Sequence, residues 1–433
     1  MAKLAVIGAG GTMGSYVAKY LYRKTDRIYA FDIDKVKLVN ALNGIGYELS
    51  SDIASAVRGA DYVIFCVPTD KVKEAMFEAL PHCKNDAIIS GQTSRKTPEA
   101  EAFDAFKARS PNSKIELVTL HTMCDPSKTN PEKEILGIIG HNASNATFKK
   151  VIDFYGHLSS SLHYFSSVDE HDMMVAHTQI NVSRTNLAIA SAFAHAGCFP
   201  WISGNYGTGF DSFKFSLAMR TASQPGHVYR GIQFGSPHGK DIVRKAIEAE
   251  HKLFGLIVAD KKREYKEVLR RARDFVFKGR KVPILTEADI EILGSNKHSL
   301  PNSDLSLMQF LLSYAEIGRN PFDDLKATTP MHRSLLCLLD RLCMTSKFEE
   351  SLEAPFQFPN LRADDLVFDR ELTTWSNAIL YDNSELYNDK HSAMTAKLPI
   401  ERVKLEIEKS KIVVSLCRQR LEEKIAEEEI ITR

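Results

Sequence analysis

Four glycines, Gly8, Gly10, Gly11 and Gly14, fall between an apolar run from Lys3 to Ile7 and an amphipathic segment that continues to Tyr22. Between a strand and a helix, such glycines let the chain turn tightly and bring bare backbone against a pyrophosphate. The unpaired N–H groups and dipole of a helix N-terminus then favour the anion. Thr12 and Met13 complete the turn, whose spacing GxGGxMG departs by one residue from GxGxxG. Its place near the chain start, with Asp32 ending the next apolar run, points to dinucleotide binding rather than a merely structural turn. Asp32 is positioned to accept hydrogen bonds from an adenosine ribose and to repel a 2′-phosphate, which favours NAD. It is equally a candidate N-cap for the following helix, and Lys35 and Lys37 nearby leave NADP open.

Two more segments lie at strand ends, where an open α/β sheet keeps its ligand crevice. SGQTSRK, Ser90 to Lys96, makes Ser94 a candidate polar contact, although the same residue types compose ordinary loops. LVTLHTMCDP, Leu117 to Pro126, is expected to place His121 just after a strand. An alcohol loses hydride only if its hydroxyl proton is accepted, and neutral imidazole suits that task; a solvated strand-end histidine is the alternative. Further along, His171, Asp172, His177 and Gln179 crowd the start of a long helical segment. Two histidines at i, i+6 point in different directions, unlike the i, i+4 pair of HExxH, so a polar face or interdomain contact is expected and no metal site. Arg220 lies in an apolar stretch, FSLAMRTASQPGHVYRG, where a guanidinium needs a carboxylate, from substrate or from a neighbouring acid. Gln179 joins Arg220 as a substrate-binding candidate.

The elements that must carry these residues follow from periodicity. Strands are expected at Lys3–Ile7, Arg27–Phe31, Tyr62–Val67, Ala87–Ser90, Ile115–Leu120, Ile135–Gly140 and Leu162–Phe165, with helical patterns between most of them. That order predicts an α/β Rossmann domain with a mainly parallel sheet over residues 1–167. From 168 the segment DEHDMMVAHTQINVSRTNLAIASAFAHAG opens an all-α domain, 168–433, with further helices at Gly239–Phe277 and Ser306–Ile317. Gly204–Phe213, Ser295–Asp304 and Glu353–Asp365 read as loops. After about residue 340 there is a helical extension, ending in a helix from Ala396 with Leu405, Ile407, Ile412 and Leu416 at its apolar positions.

At 433 residues and a net charge of +1, the chain is long enough for two or three domains and has no broad basic field for nucleic acid or an anionic membrane. Seven cysteines without a CxxC pair suit reduced thiols in the cytoplasm. No stretch approaches the roughly 18 apolar residues of a membrane span. A large helical domain is compatible with a helix-mediated homodimer.

Together the motifs resemble prephenate dehydrogenase, and particularly its longer fungal-type branch. GAGGTMG is similar to the family's nucleotide loop, and SGQTSRK to the loop whose serine contacts substrate, here Ser94. LHTMCDP is similar to the segment around the catalytic histidine, here His121, and DEHDMMVAHTQ to the opening of the long helix. LAMRTASQPGHVY is similar to the segment supplying a substrate-binding arginine, here Arg220. Pro200–Trp201, His227–Tyr229 and LPNSDLSL at Leu300–Leu307 extend the likeness over roughly the first 340 residues. Two positions depart: Thr122 replaces a frequent proline, and Ser183 stands where related enzymes often have a second histidine, so Ser183 receives no role.

The resemblance implies oxidative decarboxylation of prephenate to 4-hydroxyphenylpyruvate in tyrosine biosynthesis, with His121 accepting the hydroxyl proton, Ser94 orienting it and Arg220 holding a carboxylate. It also implies NADP, against the NAD favoured by Asp32. Arogenate, the amino analogue, stays open as substrate. A 3-hydroxyacid dehydrogenase would need a lysine on the long helix, and Asp169–Gly197 has none. The reading from a different class is a non-catalytic dinucleotide sensor.

Overall fold

The computed structural model describes residues 2–123, 126, 135–202, 209–278, 280, 282–293, 302–357 and 363–431. The chain divides into two units, Met1–Val175 and Ala176–Arg433. Short β-branched runs in the first unit are buried on both faces, the pattern of a sheet covered by helices. Its elements are β1 (Ala2–Ile7), α1 (Thr12–Leu21), β2 (Thr25–Phe31), α2 (Lys35–Ala41), β3 (Glu48–Leu49), α3 (Ile53–Val57), β4 (Tyr62–Phe65) and α4 (Val72–Ala79). They continue with β5 (Ile88–Gly91), α5 (Thr97–Arg109), β6 (Glu116–Thr122), β7 (Ile135–His141), α6 (Asn145–Tyr155), β8 (Ser161–Phe165) and α7 (Val168–Val175).

The eight strands order as β3-β2-β1-β4-β5-β6-β7-β8. Chain direction across the sheet reverses between β1 and β4, which creates the crevice at the carboxyl ends of those strands. Every pairing is parallel except β6 with β7, which run antiparallel from Leu117 opposite His141 to Thr122 opposite Leu136. Helices cover both faces, Val17 and Leu21 of α1 packing with Ile64 and Val118, and Met76 of α4 with Val63 and Ile89.

In the second unit a π-turn (Ala176–Ile180) precedes α8 (Asn181–Ala196), α9 (Gly209–Ala222), α10 (Gly226–Gln233), α11 (Pro237–Val258), α12 (Lys262–Val276) and α13 (Glu287–Glu291). Then come α14 (Leu305–Ile317), α15 (Pro330–Cys343), α16 (Lys347–Gln357), α17 (Ala363–Leu380), α18 (Ser384–Lys397) and α19 (Ile400–Ile431). Trp375 of α17 is fully buried against α8 and donates from Nε1 to Ser191 Oγ at 2.9 Å, which satisfies its one polar atom. None of the described helices is long and apolar enough to cross a membrane.

Several local expectations change. The single helix expected over Gly239–Phe277 is two, α11 and α12, parted at Asp260, whose φ of 52° no helix accommodates. Gly209–Phe213 begins α9 instead of a loop, and residues 353–357 complete α16 despite Pro355, because buried Phe348 and Leu352 hold that helix in the core. The remainder of those expected loops, 204–208, 295–301 and 358–362, lies outside the described residues. α19 buries Glu406, Ser410, Val413, Val414, Cys417 and Leu421, whereas Leu405 and Ile412 are exposed, so the face in the core is not the one its apolar residues suggested.

Candidate active site

The glycine turn is built by close approach. Gly8 has φ of 86° and a Cβ there would lie 2.6 Å from the Cys66 carbonyl; a Cβ on Gly14 would lie 2.1 Å from the Gly8 carbonyl. Gly11 is different, with no atom nearer than 3.4 Å, and it caps α1 without any side-chain hydrogen bond. The first-turn N–H groups, those of Thr12, Met13 and Gly14, therefore lie at a bare helix N-terminus of the kind that holds a pyrophosphate. Asp32 Oδ2 accepts from Gly10 N at 2.9 Å and Oδ1 from Asp34 N at 3.0 Å, so its carboxylate braces the turn. The N-cap of α2 is Asp34, which accepts from Lys37 N at 2.9 Å; the capping alternative for Asp32 is thereby corrected.

His121 lies inside β6, one residue before its end, where the sequence had placed it beyond the strand. The ring is buried, and its Nδ1 is 2.8 Å from His171 Nε2. His171 Nδ1 in turn is 2.8 Å from Asp172 Oδ1. Asp172 also caps α5: Oδ1 accepts from Lys96 N at 2.8 Å, and Oδ2 from Thr97 N at 2.8 Å and Thr97 Oγ1 at 2.5 Å. The carboxylate fixes the tautomers. It accepts the Nδ1 proton of His171, which leaves His171 Nε2 as an acceptor for His121 Nδ1–H, and the lone pair of His121 then falls on Nε2.

Charge follows the same chain. Burial, then the neighbouring His171 and Lys96, lowers the His121 pKa well below the ordinary histidine value, so the ring is neutral near pH 7. Burial also lowers His171, with Asp172 opposing. Burial alone would raise Asp172, but the hydrogen bond and charge of His171 and the α5 amides outweigh it and hold the carboxyl below its usual range. Beneath the relay, Lys96 and Glu99 form a fully buried pair at 3.1 Å, with Glu99 also accepting from Thr93 and Thr119.

Ser94 follows β5, half-buried, and its hydroxyl makes no hydrogen bond among the described residues. Gln92 Oε1 accepts from Thr122 N at 3.0 Å, a donor that proline at 122 would lack. Gln92 Nε2 and Thr122 Oγ1 stay buried without a partner among the described residues, two polar atoms beside the base, since Thr122 follows His121 in the chain. The sequence brought Ser94 and His121 to one sheet edge but missed His171 and Asp172 as partners. Fifty residues separate His121 from His171, and only the acid-rich start of the helix that carries His171 hinted at more than a polar face.

Arg220 and Gln179 belong to the second unit. Arg220 occupies the last turn of α9 and is buried, as is Gln179 in the π-turn. Ser183 is built into the interior: its hydroxyl donates to the Gln179 carbonyl at 2.6 Å and accepts from Gln233 Nε2 at 2.9 Å. His177, grouped with His171 in the sequence, lies in this unit, where Tyr314 Oη donates to its carbonyl at 3.3 Å and lies 2.9 Å from His332 Nε2. No group of three metal-ligating side chains occurs among the described residues.

A mainly parallel sheet with a bare glycine-turned helix at its switch point defines a dinucleotide-binding α/β fold. The chain belongs to the family of the 6-phosphogluconate dehydrogenase C-terminal domain, whose model matches residues 182–412, and residues 17–133 match the prephenate dehydrogenase nucleotide-binding domain. The likeness read from the motifs is thus found again in the first unit, and a dehydrogenase domain in the second. A protein named prephenate dehydrogenase [NADP(+)] from Saccharomyces cerevisiae is 26% identical over 383 residues, 85% of this chain and 82% of its own. A probable prephenate dehydrogenase [NADP(+)] from Schizosaccharomyces pombe is 26% identical over 402 residues, 90% and 91% of the two chains. Among solved structures, prephenate dehydrogenase from Aquifex aeolicus aligns at 19% identity with a TM-score of 0.48, over 63% of this chain and 97% of that one.

Proposed function

We propose that this chain is a cytoplasmic NADP-dependent prephenate dehydrogenase, which converts prephenate to 4-hydroxyphenylpyruvate and CO₂. The observation that carries this reading is the His121–His171–Asp172 chain at the carboxyl end of β6, in a chain whose yeast relatives bear that enzyme's name. Residues 1–167 form the dinucleotide-binding domain of the proposal, and 168–433 the substrate domain, through which the protein dimerises.

The glycine turn fits the cofactor, since Gly8 and Gly14 pack where a Cβ would collide and the N-terminus of α1 is uncapped. Gly8, Gly10, Gly11, Thr12, Met13 and Gly14 would hold its pyrophosphate. When bound, the dinucleotide supplies the hydride acceptor. Asp32 spends both carboxylate oxygens on the N–H groups of Gly10 and Asp34, so it braces the turn more than it reads a ribose, and the exposed Lys35 and Lys37 are left to meet a 2′-phosphate. This supports NADP over the NAD that Asp32 alone suggested.

His121 is the general base. Its Nε2 lone pair takes the proton of the C4 hydroxyl while its Nδ1–H remains donated to His171, and Asp172 stabilises the charge that develops along the chain. Departure of the ring carboxylate as CO₂ makes the ring aromatic, so the protein has only to orient the substrate and accept one proton. Ser94, with its unengaged hydroxyl, orients the reacting alcohol, and Arg220 with Gln179 recognises a carboxylate. The test is a panel of prephenate and arogenate against NADP and NAD, followed at the nicotinamide absorbance. Fastest turnover with prephenate and NADP is expected; cofactor binding without turnover of either substrate would sink the proposal.

A further inference from the structure

At the opposite edge of the sheet from the glycine turn lies a cleft of about 670 Å³, within the size range of small-molecule sites. Its walls are Phe77, Pro81, Phe106, Pro111 and Ile115, and its one charged lining residue is Arg109; no carboxylate lines it. Asn85, on the way into β5, and Ile115, just before β6, set it at the amino ends of those strands. His121 stands six residues further along β6, roughly 20 Å away at about 3.3 Å per residue.

The cleft is preformed. Lys107 Nζ donates to the Ser113 carbonyl at 2.5 Å, and Ser113 N to the Ser110 carbonyl at 3.0 Å, which ties the 110–113 loop to the end of α5. Asn85 Oδ1 accepts from Lys114 N at 3.3 Å and joins that loop to the segment entering β5. Phe77 is 39% exposed although Val72, Met76 and Ala79 of the same helix are buried, so a large apolar ring is left facing solvent in a concave place. Arg109 makes no ion pair or hydrogen bond among the described residues, and the negative end of the α5 dipole favours a cation at that position.

We infer that this cleft is a binding site for a small carboxylate with an aromatic body. The ring packs between Phe77, Phe106 and the two prolines, and the carboxylate pairs with the guanidinium of Arg109, whose fork matches it in two parallel hydrogen bonds. A neutral ring compound lacks the second contact. A phosphorylated nucleotide would need more than one cation.

The full-length protein is titrated with 3-phenylpropionate and, separately, with 3-phenyl-1-propanol, while hydrogen–deuterium exchange is read on the peptide covering 106–115. Protection of that peptide should saturate with the acid. The half-saturating concentration should rise at least about tenfold in Arg109→Ala and in Arg109→Gln, the loss of one charge-assisted contact. Turnover and melting temperature of both variants should match the wild type, because Arg109 is exposed and remote from His121. Absence of protection at 106–115, equal protection by the alcohol, or undiminished protection in both variants would each overturn the inference, and binding of the acid elsewhere would not rescue it.

Discussion

The two units bury polar groups in opposite ways. In the first, the buried acid Asp172 is matched: its carboxylate receives two backbone N–H groups, a hydroxyl and a histidine, and its pKa falls. In the second, Glu250 of α11 is equally buried, yet neither of its oxygens makes a hydrogen bond among the described residues. Burial pushes its carboxyl well above the usual range, with Arg184 opposing and Asp369 adding to the rise. Arg184, fully buried, is itself lowered to about 10 by burial while it donates to Ser376 at 2.8 Å and Asn181 at 3.0 Å. The difference teaches that burial alone does not say whether an acid is charged. Preformed donors decide it, and Asp172 has them because it sits at the N-terminus of α5.

The largest effect should come from the end of the matched chain. His121→Asn is expected to bind NADP as the wild type does and to lose at least about a hundredfold in kcat, the low end for a positioned base. Near-normal kcat would remove His121 from the chemistry. Next, Arg220→Lys should raise KM for prephenate by tens to hundreds of fold, about 2 to 4 kcal/mol, with cofactor affinity unchanged. A lowered melting temperature at constant KM would instead make Arg220 a structural cation.

The same type of change, acid to amide, then separates the two regions. Asp172→Asn should reduce kcat by roughly tenfold and cost about 1.5 to 3 kcal/mol of stability, because charged hydrogen bonds are lost at both His171 and α5. It should also move the acid limb of the kcat/KM profile, which in the wild type falls as His121 protonates below the ordinary histidine pKa. An unmoved limb would uncouple Asp172 from the base.

Glu250→Gln should have the smallest effect, within about 1 kcal/mol near the acid end of the melt profile, since the native carboxyl is held neutral. The sign differs from that of Asp172. A folded pKa raised above the unfolded one means that the unfolded chain binds fewer protons as pH climbs past the usual carboxylate range, so the wild type loses stability toward its raised pKa. The variant should lack that slope. For Asp172, with its folded pKa depressed, stability is lost instead as pH falls. Thermal melts across pH on the wild type and both variants show whether the slopes part in this way.

Local patterning was enough to read much of the molecule. The alternating strands, the glycine turn and the mainly helical second half all depend on residues close together in the chain, whose spacing is itself the physical signal. Ser94 and His121 were legible for the same reason, each marked by its nearness to a strand end. Long-range packing made the other choices. His171 and Asp172 looked like the polar face of a helix start until folding set that helix against α5 and β6. The buried side of α19 includes Glu406 and Ser410 in place of Leu405 and Ile412, because which face sinks depends on the helices it meets. The antiparallel β7 rests likewise on pairing between segments, and so does the orphaned Glu250 on what surrounds it. Sequence by itself determined the elements and the residue types able to do chemistry, since backbone preference and periodicity act within a few residues. Tertiary structure alone decided which of those residues touch and which are charged, because burial and hydrogen bonding depend on neighbours that the chain order does not name.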